Sequence, residues 1–358
     1  MSSRAERLAA QLEEVDVLLV TALVNVRYLT GYTGSNGIAL IGPQTRVFIT
    51  DFRYRQQAGE EVASEFDRLV ADAPQELSEL IEGALAAGKL RLGFEAEHTA
   101  VRAYERLREV LSDRAQLIAT AGQVERMRAI KEPDEIASIR AATELADAAF
   151  ERVVGRGLAG RTEREIALAI ETDMRSHGAA RAGFDAIVAA GSHGALPHAQ
   201  PRDDQVKTGE LVVIDWGAQF DGYCSDCTRT VAVGDPGNEA REIYQLVLEA
   251  QLAALGAVAA GRGTRELDGI AREVIDAGGH GERFGHGLAH GVGLDIHEAP
   301  TLSRRAANQE LEAGNVVTIE PGVYLPGRFG VRIEDLVVVT EGGSETLTSI
   351  DKQLMVVD

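Results

Sequence analysis

Four carboxylates are set into the most apolar stretches of the second half of the chain. Asp215 and Asp226 stand eleven residues apart in VVIDWGAQFDGYCSDCTRT, and Glu320 and Glu334 fourteen apart in VVTIEPGVY and GVRIEDLVVV. Each interrupts or ends a β-branched run of the kind that packs inside a sheet, where an unpaired charge is costly. Four such groups in one core repel one another unless cations hold them together. The simplest compensation is a pair of divalent metal ions, with His290 in AHGVGL as a nitrogen ligand. An oxygen-rich set with one imidazole suits Mn²⁺, Co²⁺ or Zn²⁺ better than a thiolate site would. Two such ions close together generate hydroxide at neutral pH and polarise a carbonyl, which is hydrolase chemistry.

The 358 residues suggest about two domains. Residues 1–122 read as a small mixed α/β domain. Leu8, Leu12 and Val15 are spaced for one helix face, and VDVLLV, GIALIG and TRVFIT read as strands. ELSELIEGALAA and VRAYERLREVL read as helices flanking the strand KLRLGFE. The charged segment AGQVERMRAIKEPDE is the joint, and Pro133 starts the helix after it. In residues 123–358, helices such as EREIALAIETDMRSHG and NEAREIYQLVLEAQLAALGAV alternate with the strand runs LVVIDWG, TRTVAV, VVTIEPGVY and VRIEDLVVVT. Asp215 and Asp226 lie on two adjacent runs, Glu320 and Glu334 on another two. Two hairpins facing one another would gather all four, giving an α+β unit with an antiparallel sheet core and outer helices.

A net charge of −20 argues against nucleic acid or an anionic membrane as partner. The start, MSSRAERLAAQLEEVD, has no apolar signal region, and no stretch approaches the ~18 apolar residues of a spanning helix. A cytoplasmic location is expected. The two cysteines, Cys224 and Cys227, imply no disulfide framework and lack the second pair a zinc ribbon needs. They read as small core residues, with Cys224 and Asp226 on one face of a strand. His98, His177, His193 and His280 read as surface or loop residues. TGSNG reads as a turn, since no GxxxxGK[ST] pattern follows it. Asp51 and Arg53 in TDFRY read either as a structural ion pair or as an arm reaching a neighbouring subunit.

The blocks PHAQP, IDWGAQFDGYCSDCTRT, GHGLAHGVGLDIHE, TIEPGVY and VRIEDLVVV occur in that order. Together they resemble metallopeptidase family M24, the pita-bread enzymes that include methionine aminopeptidase, Xaa-Pro aminopeptidase, prolidase and creatinase. The resemblance implies that residues 123–358 form a pita-bread catalytic domain behind a creatinase-like N-terminal domain. It implies that Asp215 binds one metal ion, His290 and Glu320 the other, and that Asp226 and Glu334 bridge the two, most naturally as Mn²⁺. It further implies Glu320 as proton shuttle, His297 at the scissile carbonyl, His198 on the substrate main chain, and His286 and Arg332 lining the site or organising the ligands. Ala289 departs from the Gly often found before the ligand histidine, and removes no ligand. NVRYLTGYTGSNG followed by ITDFRY resembles the N-terminal domain of aminopeptidase P more than that of most prolidases. The expected activity is therefore removal of an N-terminal residue ahead of proline by a homodimeric Xaa-Pro aminopeptidase, with prolidase as the alternative. A catalytically weak peptide-binding relative is disfavoured by the complete ligand set. Tyr324 and the loop around Phe184 are candidate pocket walls.

Overall fold

The apolar runs of the first hundred residues lie side by side as one mixed sheet. The computed structural model describes residues 2–73 and 77–358, in two compact units, Met1–Arg128 and Ala129–Asp358. In the first unit the sheet runs Asp67–Ala71, Thr45–Asp51, Ile38–Gly42, Val17–Val20, Leu90–Glu95, Ala115–Thr120. Ile38–Gly42 pairs antiparallel with both neighbours and the remaining pairs are parallel. Val17–Val20 is buried along its whole length, which explains its unbroken VLLV rather than an alternating pattern. The first helix, Arg4–Gln11, starts from a capping box made by Ser3 and Glu6. It stops before Leu12, so Val15 is buried beyond the helix rather than on its face. Leu77–Ala84 and Val101–Val110 are the expected helices around Leu90–Glu95; Glu76, the first residue of ELSELIEGALAA, lies outside the described residues.

The second unit is built twice over. Pro133 occupies the first turn of the helix Pro133–Val154, where a missing N–H costs nothing. That helix and Glu163–Ser176 pack with the antiparallel strands Ile187–Ala190, Leu211–Trp216 and Cys227–Val233 around one core. Trp216 is fully buried there, stacked on Phe150 at 4.2 Å, with Nε1 donating to the Ala146 carbonyl at 2.8 Å. Asn238–Leu255 and Thr264–Ala277 pack with a second sheet, which includes Ala289–Gly291, Val316–Ile319 and Asp335–Thr340, around another core. These are the two hairpin halves with outer helices that the spacing of the carboxylates predicts. Their seam is direct: the Glu334 N–H donates to the Thr228 carbonyl at 3.1 Å, and Thr230 and Arg332 exchange two hydrogen bonds at 3.0 Å.

Candidate metal centre

Three of the four carboxylates sit where strands break. VVTIEPGVY and VRIEDLVVVT are not single strands. The first divides into Val316–Ile319 and Gly322–Leu325, the second into Phe329–Arg332 and Asp335–Thr340, so Glu320 and Glu334 fall in the interruptions. Asp226 likewise lies between Tyr223–Cys224 and Cys227–Val233. A break frees the side chain from the alternation of the strand, while the adjacent ladder still fixes the backbone. Asp215 pairs across the sheet with Thr228, and Ile319 with Asp335. Both pairs of acids therefore lie at or beside the ends of antiparallel strand pairs.

All nine residues singled out from the sequence line one cavity of about 320 Å³: Asp215, Asp226, His290, Glu320, Glu334, His198, His286, His297 and Arg332. Oxygen and nitrogen atoms of Asp226, His290 and Glu334 lie within 4.8 Å of one another. His290 Nε2 is 3.4 Å from Glu320 Oε1 and 3.5 Å from Asp226 Oδ2. His290 Nδ1 lies 3.0 Å from the Gly291 carbonyl, which can only accept, so Nδ1 carries the proton and Nε2 presents its lone pair to the acids. Burial pushes this imidazole down to about 4, so it is neutral at physiological pH.

The acids show the strain of sharing a buried site. Burial drives Asp226 and Glu334 well above the usual carboxylate range, with neighbouring acids adding to it, and Glu320 is pushed up to about 8. Asp215 Oδ1 is buried with no hydrogen-bond partner. The one buried cation among the lining groups, Arg332, donates from Nη2 to Asp215 Oδ2 at 2.6 Å, from Nε to Thr228 Oγ1 at 3.0 Å and from Nη1 to Tyr324 Oη at 2.8 Å. Thr228 passes the contact on, donating to Glu334 Oε2 at 2.6 Å. One arginine against four carboxylates leaves negative charge uncompensated. An orphaned oxygen, a neutral imidazole and three acids driven towards their protonated forms fit divalent cations as the missing partners.

Beyond these groups, Phe184, Ile187 and Ile296 give the cavity an apolar wall. Ile296 opens the IHE triplet, but nothing in its spacing marks it out. Tyr324 is not a wall: it is buried behind the site, where its hydroxyl accepts from Arg332 and meets His286 Nε2 at 2.9 Å. His286 Nδ1 donates to the Gly287 carbonyl at 2.8 Å, so its Nε2 accepts from Tyr324. Burial again keeps the ring neutral, pushed down to about 4. Two further expectations are corrected. His193 is buried, not a surface residue, because Glu163 accepts its Nδ1–H. Cys224 ends a strand before Asp226, so the two share no strand face and Cys224 is absent from the cavity wall. Cys227 makes the closer contact, its thiol donating to the Glu334 carbonyl at 3.5 Å. In TDFRY the ion pair is present: Arg53 donates to both oxygens of buried Asp51 at 2.8 and 2.9 Å.

Residues 137–341 match the model of metallopeptidase family M24, and residues 4–130 match the creatinase/prolidase N-terminal domain. The chain belongs to metallopeptidase family M24. Among M24 relatives, the uncharacterized peptidase YqhT of Bacillus subtilis is 42% identical over 96% of each chain. The Xaa-Pro dipeptidase of Pyrococcus furiosus is 36% identical over 99% of this chain and 100% of its own length. Of solved M24 structures, the Xaa-Pro dipeptidase from Bacillus anthracis superposes with a TM-score of 0.93 at 39% identity, covering 99% of each chain. The X-Pro aminopeptidase from Thermotoga maritima MSB8 gives 0.90 at 39% identity, covering 99% of this chain and 100% of that one. The two-domain pita-bread architecture is thus that of the family.

Proposed function

We propose that this M24 chain is a divalent-metal-dependent prolidase, hydrolysing the bond between an amino-terminal residue and a following proline in dipeptides. What carries the reading is the full-length likeness, N-terminal unit included, to proteins named Xaa-Pro dipeptidases. The N-terminal motif NVRYLTGYTGSNG favoured aminopeptidase P, and that reading stands second because the Thermotoga maritima protein is named an X-Pro aminopeptidase.

Asp215 would hold one ion, His290 and Glu320 the other, with Asp226 and Glu334 between them. Bound there, divalent ions supply Lewis acidity towards a carbonyl oxygen and acidify water. The protein's own groups do the rest. Arg332 occupies Asp215 Oδ2 and leaves buried Oδ1 without a hydrogen-bond partner. Thr228 fixes the rotamer of Glu334. Glu320 takes the proton released as water adds to the scissile carbon, then returns it to the proline nitrogen as the C–N bond breaks. His297 is held below its ordinary pKa by burial and by His198, so it meets the carbonyl as a neutral hydrogen-bond donor. His198 contacts the substrate main chain. The bond ahead of proline has no N–H, and the apolar wall of Phe184, Ile187 and Ile296 asks for none.

The test is a paired assay after reconstitution with Mn²⁺, Co²⁺ and Zn²⁺ in turn. Hydrolysis of Ala-Pro without release of arginine from Arg-Pro-Pro-Gly-Phe is the expected result. Release of free arginine establishes the aminopeptidase instead, and cleavage of neither peptide with any metal refutes both. The same reading carries a homodimer, checked by sedimentation, and a cytoplasmic location, checked by fractionation. Among the described residues no helix is long and apolar enough to cross a membrane.

A further inference from the structure

One carboxylate outside the cavity grips both ends of the segment that carries His198. Glu163 opens the helix Glu163–Ser176, yet it does not cap that helix; Thr162 and Glu165 do. Its side chain is 2% exposed and turns away towards the loop. Oε1 accepts from the Ala190 N–H at 2.8 Å and Oε2 from the Arg202 N–H at 2.9 Å. Ala190 ends the strand Ile187–Ala190, and Arg202 lies twelve residues further on. Between them run the 3₁₀ turn Gly191–Ala195 and the Pro197–His198 pair at the cavity wall. From inside that turn, buried His193 brings Nδ1 to 2.9 and 2.8 Å from the two oxygens. An ionised carboxylate can only accept, so Nδ1 carries the proton.

Three donors from one loop thus converge on a single buried acid. The loop's inner side is held as well. Arg332 Nη1 donates to the Pro197 carbonyl at 3.2 Å, one residue before His198. Gly194 lies so close to Gly330 that a Cβ on Gly330 would fall 2.0 Å from the Gly194 carbonyl oxygen. A buried Glu–His pair is a costly way to fill space, since similar volume can be filled by apolar side chains at no desolvation cost. What the pair provides is a fixed loop.

We propose that Glu163 and His193 are positioning residues for His198, setting its imidazole against the substrate from behind without touching substrate themselves. This rests on the proposed function only in assigning His198 to the substrate. Displacing a substrate-facing group by ~1 Å can cost about a hundredfold in rate.

Glu163→Gln keeps the volume and one acceptor oxygen and turns the other acceptor into a donor facing the loop's N–H groups. With Ala-Pro as substrate, kcat is expected to fall about 10- to 100-fold, with KM changed less than about threefold and bound metal per chain unchanged. In a His198→Ala background the same substitution should cost less than about twofold more, because its effect passes through His198. Amide hydrogen exchange across residues 191–201 should speed up while the body of Glu163–Ser176 stays protected. His193→Asn, which leaves both loop ends tied, should show the same pattern more weakly and serves if Glu163→Gln folds poorly. Wild-type kcat in both variants, full additivity with His198→Ala, or unchanged exchange in 191–201 overturns the proposal. If the wild-type protein cleaves no Xaa-Pro peptide, the functional reading fails by itself, and the exchange comparison alone decides whether Glu163 holds the loop.

Discussion

Chelating the metal should give the catalytic unit a pH dependence opposite to that of ordinary acid denaturation. Burial holds Asp226, Glu320 and Glu334 above the usual carboxylate range when no cation is bound, Glu320 at about 8 against an ordinary 4.5. A carboxyl with a raised folded pKa binds its proton more tightly in the folded protein. Its stabilisation is complete below the unfolded value and is lost as pH rises through the folded one. For Glu320 the interval from 4.5 to 8 corresponds to about 5 kcal/mol, most of it lost between pH 5 and 9. The acids titrate as one cluster, so the loss spreads over that whole window rather than forming a step. Divalent ions favour the ionised forms, so the loaded protein should not share the loss. Trp216 is the single tryptophan and lies in the core of the first half of the catalytic unit, so its fluorescence in urea reports that unit alone. Buried His286 and His290, held down to about 4, act with the opposite sign below their ordinary 6.5, so the comparison starts above it. The expected result is a chelated protein less stable at pH 9 than at pH 7, beside a Mn²⁺-loaded protein that barely changes. Equal stability of the chelated protein at both pH values would refute the argument. So would an equal fall in the loaded protein, which would point to self-repulsion of the −20 surface instead.

Thr228→Val removes the donor to Glu334 and the acceptor for Arg332 while keeping the volume. It should weaken Mn²⁺ binding about 10- to 100-fold by calorimetry. Trp216→Phe removes the second donor to the helical Ala146 carbonyl and leaves a gap beside Phe150. Unfolding followed by circular dichroism should show a loss of about 2–3 kcal/mol. Burial pushes the Cys224 thiol up to about 11 and raises Cys227 as well. Both should stay unmodified by iodoacetamide at pH 8 in the native protein and react in denaturant, as read by mass spectrometry; rapid native labelling of either contradicts the packing described.

The positions of the ligand-type residues were legible because chemistry and patterning conflict there. A carboxylate inside VVTIEPG or VRIEDLV breaks the rule for buried strands, and only a site explains it. What the periodicity hid was the break itself: the unbroken apolar run around Glu320 conceals two strands, since alternation says nothing about where a ladder stops. Thr228 was equally invisible, because a threonine in CTRT is an unremarkable strand residue until its register partner proves to be Asp215. His193 was misplaced for a related reason. A histidine between glycines reads as exposed loop, and the acid that buries it, Glu163, lies thirty residues away on a helix. Dipeptidase and aminopeptidase are separated by what closes the cavity beyond the proline, a matter of loop shape with no spacing rule.

The seam where Thr228 meets Glu334 divides the catalytic unit into territories with different freedom to change. Each half keeps its own packed interior and its own pair of helices, and the turns ending those helices, at Gly178 and Gly279, face open space, although their positive φ keeps both positions glycine. Insertions there would leave the hinge line between the halves untouched. The few residues along that line are shared property of both halves, so a change in one half must be answered in the other. Drift of sequence in this protein should therefore be fast on the outer helices and nearly frozen along a narrow strip through the centre.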